Sequence, residues 1–177
     1  MNQKERSFAL KTARSAVELW VREGKRFKPA GTPKPFLDER GCFVTLTKYG
    51  ELRGCIGYPG PVMPLIDALV GAAISACRDP RFPPLDVSEL KKVKIEISVL
   101  TKPKPIRPAD VKVGQDGLII KRGFCSGLLL PQVATEHGWS REEFLSQTCV
   151  KAGLQPGAWK EKGTEILAFR AEVFSEK

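Results

Sequence analysis

A thiol, a guanidinium and two glycines fall together in Arg53-Gly54-Cys55-Ile56-Gly57. Cysteine attacks only as its thiolate, and a free thiol titrates near pH ~8.5, so a neighbouring cation is what would activate it. Residues two apart on a regular strand share a face. The spacing therefore predicts that Arg53 and Cys55 project together, as an activated thiol or as an anion held by Arg53 beside glycine backbone. Gly54 and Gly57 weaken a strand and leave it nothing to pack. They mark a place where something approaches the backbone closely, here a ligand.

Two further groups could move protons. Glu96 stands on the polar side of an alternating strand, as a base or a ligand contact. His137, the chain's single histidine, lies in Glu136-His137-Gly138-Trp139. A Cys55–His137 pair would be the usual arrangement for nucleophilic catalysis. The candidate catalytic residues are thus Cys55, Glu96 and His137. Asp79 and Arg81 flank Pro80 in a turn, as a polar anchor for ligand or as an internal cap. Gln132 offers an amide. The candidate ligand-binding residues are Arg53, Gly54, Gly57, Asp79, Arg81 and Gln132. A structural alternative stands beside each: free cysteine often packs as a small hydrophobe, and Trp139 and Trp159 bury large areas.

The elements that must position these residues are legible in the pattern. Residues 3–23 carry apolar groups at three- and four-residue intervals, and Gly24 can end that helix. The proline-rich stretch 29–35 must be an extended loop. Gly41 to Lys48, the turn Tyr49-Gly50 and Glu51 to Ile56 form a hairpin. Leu65 to Arg78 is a helix rich in alanine, ended by Asp79-Pro80. From Lys92 to Leu100, Val93, Ile95, Ile97 and Val99 alternate with polar residues, which predicts a sheet with one buried face. Pro103, Pro105 and Pro108 place a subdomain boundary near 101–110. A second hairpin follows, Leu118 to Lys121 and Gly127 to Leu130. Ser140-Arg141-Glu142-Glu143 reads as a capping box for a helix through Lys151, with Gly153 as its stop. A final strand covers about Glu165 to Val173. Each half holds a hairpin followed by a helix, a loose sign of duplication. Hairpins dominate, so the class is α+β with antiparallel sheet.

Composition bounds the function. The 177 residues suit one domain rather than two independent ones. No apolar run reaches the ~20 residues of a membrane span, and the start of the chain is amphipathic, so a soluble cytoplasmic protein without a membrane partner is expected. The net charge of +9 permits nucleic acid or acidic ligands, but no basic stretch alternates with aromatics as a base-stacking platform requires. The five cysteines are unevenly spaced, without a Cys-x-x-Cys pair, which argues against a disulfide framework and a structural zinc site.

Four separated segments resemble the motifs of the AMMECR domain family: Leu52 to Gly57, Asp79 to Pro84, Gly127 to Val133, and Thr148 to Gly153 with Trp159. Glu96 to Leu100 is similar to that family's central strand. The resemblance implies two unequal subdomains of mainly antiparallel sheet, with motif residues lining a cleft between them. It implies no established reaction and no particular cofactor. It also implies association with a radical S-adenosylmethionine enzyme and a Memo-type protein. The expected function is a binding or adaptor module for a small molecule or protein partner. An enzyme using Cys55 as nucleophile and a nucleic-acid-binding protein are the alternatives.

Overall fold

Helix formation begins with a side chain. Asn2 accepts the Glu5 amide at 2.9 Å while the Glu5 carboxylate takes the Asn2 amide at 2.8 Å, satisfying two of the amide groups a helix start leaves open. The helix α1 (Gln3–Glu23) buries Ala9, Ala13, Ala16 and Val17 and stops at Gly24, whose φ is 66°. The other helices are α2 (Leu65–Ala76), α3 (Pro131–Glu136) and α4 (Arg141–Lys151). The strands are β1 (Cys42–Lys48), β2 (Glu51–Tyr58), β3 (Val93–Leu100), β4 (Lys104–Pro105), β5 (Gly117–Arg122), β6 (Cys125–Leu129), β7 (Glu165–Phe169) and β8 (Ala171–Ser175). In this computed structural model, which describes residues 1–176, the fold is α+β with two antiparallel four-stranded sheets. Among the described residues no helix is long and apolar enough to cross a membrane.

The chain divides into two compact units, Met1–Leu100 with the segment from Glu172 onward, and Thr101–Ala171. The first unit's sheet has the order β2-β1-β3-β8. Its inner side carries Val44, Leu46, Ile95 and Ile97, which pack with Ala13 and Val17 of α1 and Leu69 and Ala73 of α2. Each such aliphatic residue taken from water contributes roughly 1.5–3 kcal/mol. From α1, Arg14 donates to the Leu90 and Val93 carbonyls at 2.9 Å each and is paired with Glu176. Glu176 also accepts the Ile95 amide at 2.9 Å, tying the residue after β8 to β3 and α1.

The second unit's sheet has the order β4-β7-β5-β6. Leu118, Ile120 and Ile166 pack with Phe144, Leu145 and Cys149 of α4. That helix carries the expected capping box, with the Glu143 amide donating to Ser140 at 3.3 Å and the Ser140 amide to Glu143 at 2.8 Å. Gly153 follows at φ 76°.

Three local expectations need correction. The short helix α3 stands where no helix was expected. Pro131 occupies its first turn, where a missing N–H costs nothing. The single strand expected over 165–173 is two strands, β7 and β8, in different sheets. Between them Arg170 donates its amide to Thr101 Oγ1 at 2.8 Å and its Nε to Asp116 at 3.1 Å. Finally, β2 is not regular: Leu46 pairs with Gly54 but Thr47 pairs with Leu52, so Arg53 is an extra, bulged residue.

Candidate functional site

The bulge at Arg53 sets the geometry of the site. An extra residue in one strand of a pair bends it and re-aims its side chain, so spacing by two does not put Arg53 beside the Cys55 sulfur. The Arg53 guanidinium donates to Glu89 through Nε at 3.1 Å and Nη2 at 2.8 Å. Glu89 also receives Lys48 at 2.7 Å and the Asp86 amide at 3.1 Å. These donors, Arg53 first, hold its carboxyl down at about 2. Arg53 is thus engaged in an internal hub whose acid, Glu89, was not among the expected site residues. Its signal was present in Asp86-Val87-Ser88-Glu89, a capping-box pattern that the structure realises.

The two glycines admit parts of the protein itself. A Cβ on Gly54 would lie 2.2 Å from the carbonyl oxygen of Ala76, at the end of α2. A Cβ on Gly57 would lie 2.3 Å from the Cys42 carbonyl and 2.5 Å from the Phe43 ring. The close approach that the sequence announces is therefore made by helix, strand and aromatic ring.

Asp79 and Arg81 act on the backbone of Cys55. Strand β2 is an edge, so one side of its peptide groups has no strand partner. The Cys55 amide donates to Asp79 Oδ2 at 2.9 Å, and Arg81 Nη2 donates to the Cys55 carbonyl at 3.3 Å. Asp79 also accepts the Arg81 amide at 3.1 Å and its guanidinium at 3.0 and 2.6 Å. The Asp79 side chain is only 1% exposed. The Arg81 hydrogen bond, followed by the two backbone donors, holds its carboxyl far below the usual range. Together the pair supplies Cys55 with the acceptor and donor that a further strand would have brought. The Arg81 pKa is raised, first by its hydrogen bond to Asp79. Arg81, rather than Arg53, is the cation that reaches Cys55, and it does so at the backbone carbonyl.

The Cys55 side chain faces its own sheet. It is half-buried, and Thr45 Oγ1 donates to its sulfur at 3.1 Å. Thr45 pairs with Cys55 on one side and with Glu96 on the other. Cys55, Thr45 and Glu96 therefore form one row across β2, β1 and β3, on the face away from the buried Leu46 and Ile95. Adjacent strands stand ~4.8 Å apart, which separates Cys55 and Glu96 by about 10 Å with Thr45 between them. Among the described residues Glu96 has no hydrogen-bond or ion-pair partner. Thr45 is the member that sequence reasoning missed, because a threonine in a strand carries no distinguishing signal. Phe43, whose ring covers Gly57, and Ser98 form the next row.

His137 and Gln132 belong to the second unit. His137 follows α3 and stacks on Trp139, with ring centroids 4.6 Å apart. Gln132 is exposed in the first turn of α3, and its carbonyl accepts the Thr135 hydroxyl at 2.8 Å. Of the other cysteines, three are less available than Cys55 and one is comparable. Burial pushes the thiols of Cys42 and Cys77 up to about 12, Cys149 is buried, and Cys125 is half-buried.

Comparison with known proteins places this geometry in a family. The chain is 53% identical over 176 residues to a protein of Methanothermobacter thermautotrophicus, covering 94% of this chain and 92% of that one. It is 49% identical over 183 residues to a protein of Thermococcus gammatolerans, covering 96% and 89%. The crystal structure of the uncharacterized protein PH0010 from Pyrococcus horikoshii matches with a TM-score of 0.77 at 45% identity, over 96% of this chain and 90% of that one. The AMMECR1 family profile matches residues 10–174, and the chain belongs to the AMMECR1 family.

Proposed function

We propose that this protein is a binding or adaptor module whose recognition surface is the face of the first sheet around Cys55. The observation that carries this reading is the row of Cys55, Thr45 and Glu96. Its backbone is clamped by Asp79 and Arg81, yet its sulfur has a hydroxyl, not a base, as its hydrogen-bonding neighbour. A general base must stand within about 3 Å of the proton it takes, or one water away. Glu96, about two strand spacings off, is better placed to hold a ligand than to deprotonate the thiol. The partners implied by the family resemblance, a radical S-adenosylmethionine enzyme and a Memo-type protein, suit an adaptor. The cytoplasmic location expected from the sequence suits it as well.

The thiol enzyme is the second reading, favoured by the placement of the Arg81 guanidinium on the Cys55 carbonyl. Nucleic-acid binding has less support. Arginines 14, 40, 53, 81, 122 and 170 are held in ion pairs, leaving them less free for phosphates. Labelling with iodoacetamide at neutral pH, resolved by peptide mass spectrometry, separates the first two. A binding module predicts that Cys55 reacts no faster than free cysteine. Labelling more than tenfold faster, slowed by Arg81→Gln, would replace the binding reading with the enzyme.

A further inference from the structure

The two units share a plan that their sequences hide. In each, a hairpin is followed by helix, α2 in the first and α3 with α4 in the second, and then by a strand. The second hairpin strand lies at the edge, the first lies beside it, and the later strand pairs on the far side: β2-β1-β3 in one, β6-β5-β7 in the other. The register corresponds position by position. Leu46 pairs with Gly54 and Ile95, and Ile120 pairs with Gly127 and Ile166. Gly54 sits under the end of α2 and Gly127 under the end of α4. A Cβ on Gly54 would meet the Ala76 carbonyl at 2.2 Å, and one on Gly127 would meet the Ala152 amide nitrogen at 2.3 Å. One step along each strand gives Cys55, Thr45 and Glu96 in the first unit and Leu128, Ile119 and Leu167 in the second.

The ββαβ plan therefore does not require a polar row at this place, since the second unit fills it with three aliphatic side chains. A thiol, a hydroxyl and a carboxylate in its stead give up apolar contact, and a half-buried carboxylate without a partner is costly to hold. Three acids of the first unit, Asp79, Glu89 and Glu172, are each paired with an arginine. Among the described residues Glu96 is not, although the chain carries a net charge of +9. Lys94 shares its strand face about 7 Å away but is exposed, and Arg81 is already neutralised by Asp79.

We infer that the units are variants of one ββαβ plan, and that the first has converted its row into a site for a small ligand with a cationic nitrogen. Glu96 takes the charge, and Thr45 and Cys55 line the approach. This inference rests on the binding reading above and adds the ligand's chemical class.

The field along the row can be read at Cys55 with two methanethiosulfonate reagents, the cationic aminoethyl and the anionic sulfonatoethyl compound. In each the thiolate, its proton lost to solvent, attacks the reagent's sulfenyl sulfur, forms a mixed disulfide and releases methanesulfinate. Rates are measured on the whole chain and resolved by peptide. The cationic-to-anionic rate ratio at Cys55 should fall about fivefold in Glu96→Gln, while the ratio at Cys125 stays unchanged. A ratio at Cys55 that rises or moves by less than about twofold overturns the assignment. The double variant Thr45→Ile, Glu96→Leu copies two of the three row positions of the second unit. It should fold with an unchanged or higher melting temperature, and a loss of more than about 10 °C would overturn the shared plan. These results are independent of the iodoacetamide rate. A fast thiol would remove the binding reading itself, whereas a wrong ratio would remove only the cationic ligand.

Discussion

Replacing Asp79 by Asn tests the clamp on Cys55 with almost no change of shape. Oδ1 accepts the amide and Nε of Arg81, while Oδ2 accepts the Cys55 amide and Arg81 Nη2. An asparagine has one carbonyl oxygen. Whichever way its amide turns, the NH2 group faces two donors. One orientation sets it against Cys55 and the end of Arg81, the other against the Arg81 amide and Nε. A buried donor left without an acceptor costs about 1–3 kcal/mol, and a charge-assisted bond contributes about 1.5–3 kcal/mol. With part of the Arg81 contribution discounted because its side chain is 56% exposed, the expected destabilisation is about 3 kcal/mol. For a chain of this size that lowers the melting temperature by roughly 6–12 °C. Thermal unfolding followed by far-ultraviolet circular dichroism measures it, and amide hydrogen exchange at Cys55 should quicken in the same variant. The acid limb gives a second check. The Asp79 carboxyl titrates below its unfolded value, so its contribution is complete above about pH 4 and fades as the pH falls through the folded pKa. The variant's deficit should therefore shrink toward pH 2. A melting temperature within about 3 °C of the wild type at neutral pH, with unaltered exchange at Cys55, would refute the clamp.

Gly54→Ala places a methyl group 2.2 Å from the Ala76 carbonyl oxygen. Strand and helix must part, so a loss of about 1–3 kcal/mol or more is expected in urea unfolding. Gly57→Ala should cost a similar amount by lifting the Phe43 ring, visible as a shift of the ring resonances. Glu89→Gln should destabilise at pH 7 by weakening the Arg53 and Lys48 contacts. The Glu89 carboxyl is held at about 2, below its unfolded value of ~4.3, so its stabilisation is present above about pH 4 and lost as the pH falls through 2. Urea midpoints of wild type and variant should therefore differ at pH 6 and converge near pH 2.

Much of this architecture was legible because it rests on local patterns. The hairpin at Tyr49-Gly50, the alternation from Val93 to Leu100 and the Ser140 capping box each depend on a few neighbouring residues. What stayed hidden was non-local or broke a period. The bulge at Arg53 is invisible to an alternation count, since its only trace is the unmatched register of β1, and with it went the pairing of Arg53 with Glu89. The alternation of Leu167, Phe169, Ala171 and Val173 runs without a break across Arg170, because period two cannot report which sheet a strand joins. Glycines 54 and 57 announced a close approach, but residue type does not say what approaches. Thr45 became visible as part of the site only when its register joined Cys55 to Glu96. The hint of duplication in the two hairpin–helix segments was sound in topology. It had no residue identity behind it, because strand order and register do not depend on which residues repeat.

The return of the chain through β8 has a consequence for biosynthesis. The second unit lies wholly within residues 101–171, whereas the first lacks its fourth strand until residues 171–175 have been made. Arg14, which emerges early, must wait for Glu176 before its ion pair can form. Nascent chains usually complete their domains in order from the amino end. Here the later-encoded unit can reach its finished form first, while the earlier one stays open at the β3 edge. During that interval an incomplete sheet edge is exposed to pairing with other chains, so synthesis of residues 171–176 is the step that closes the β3 edge.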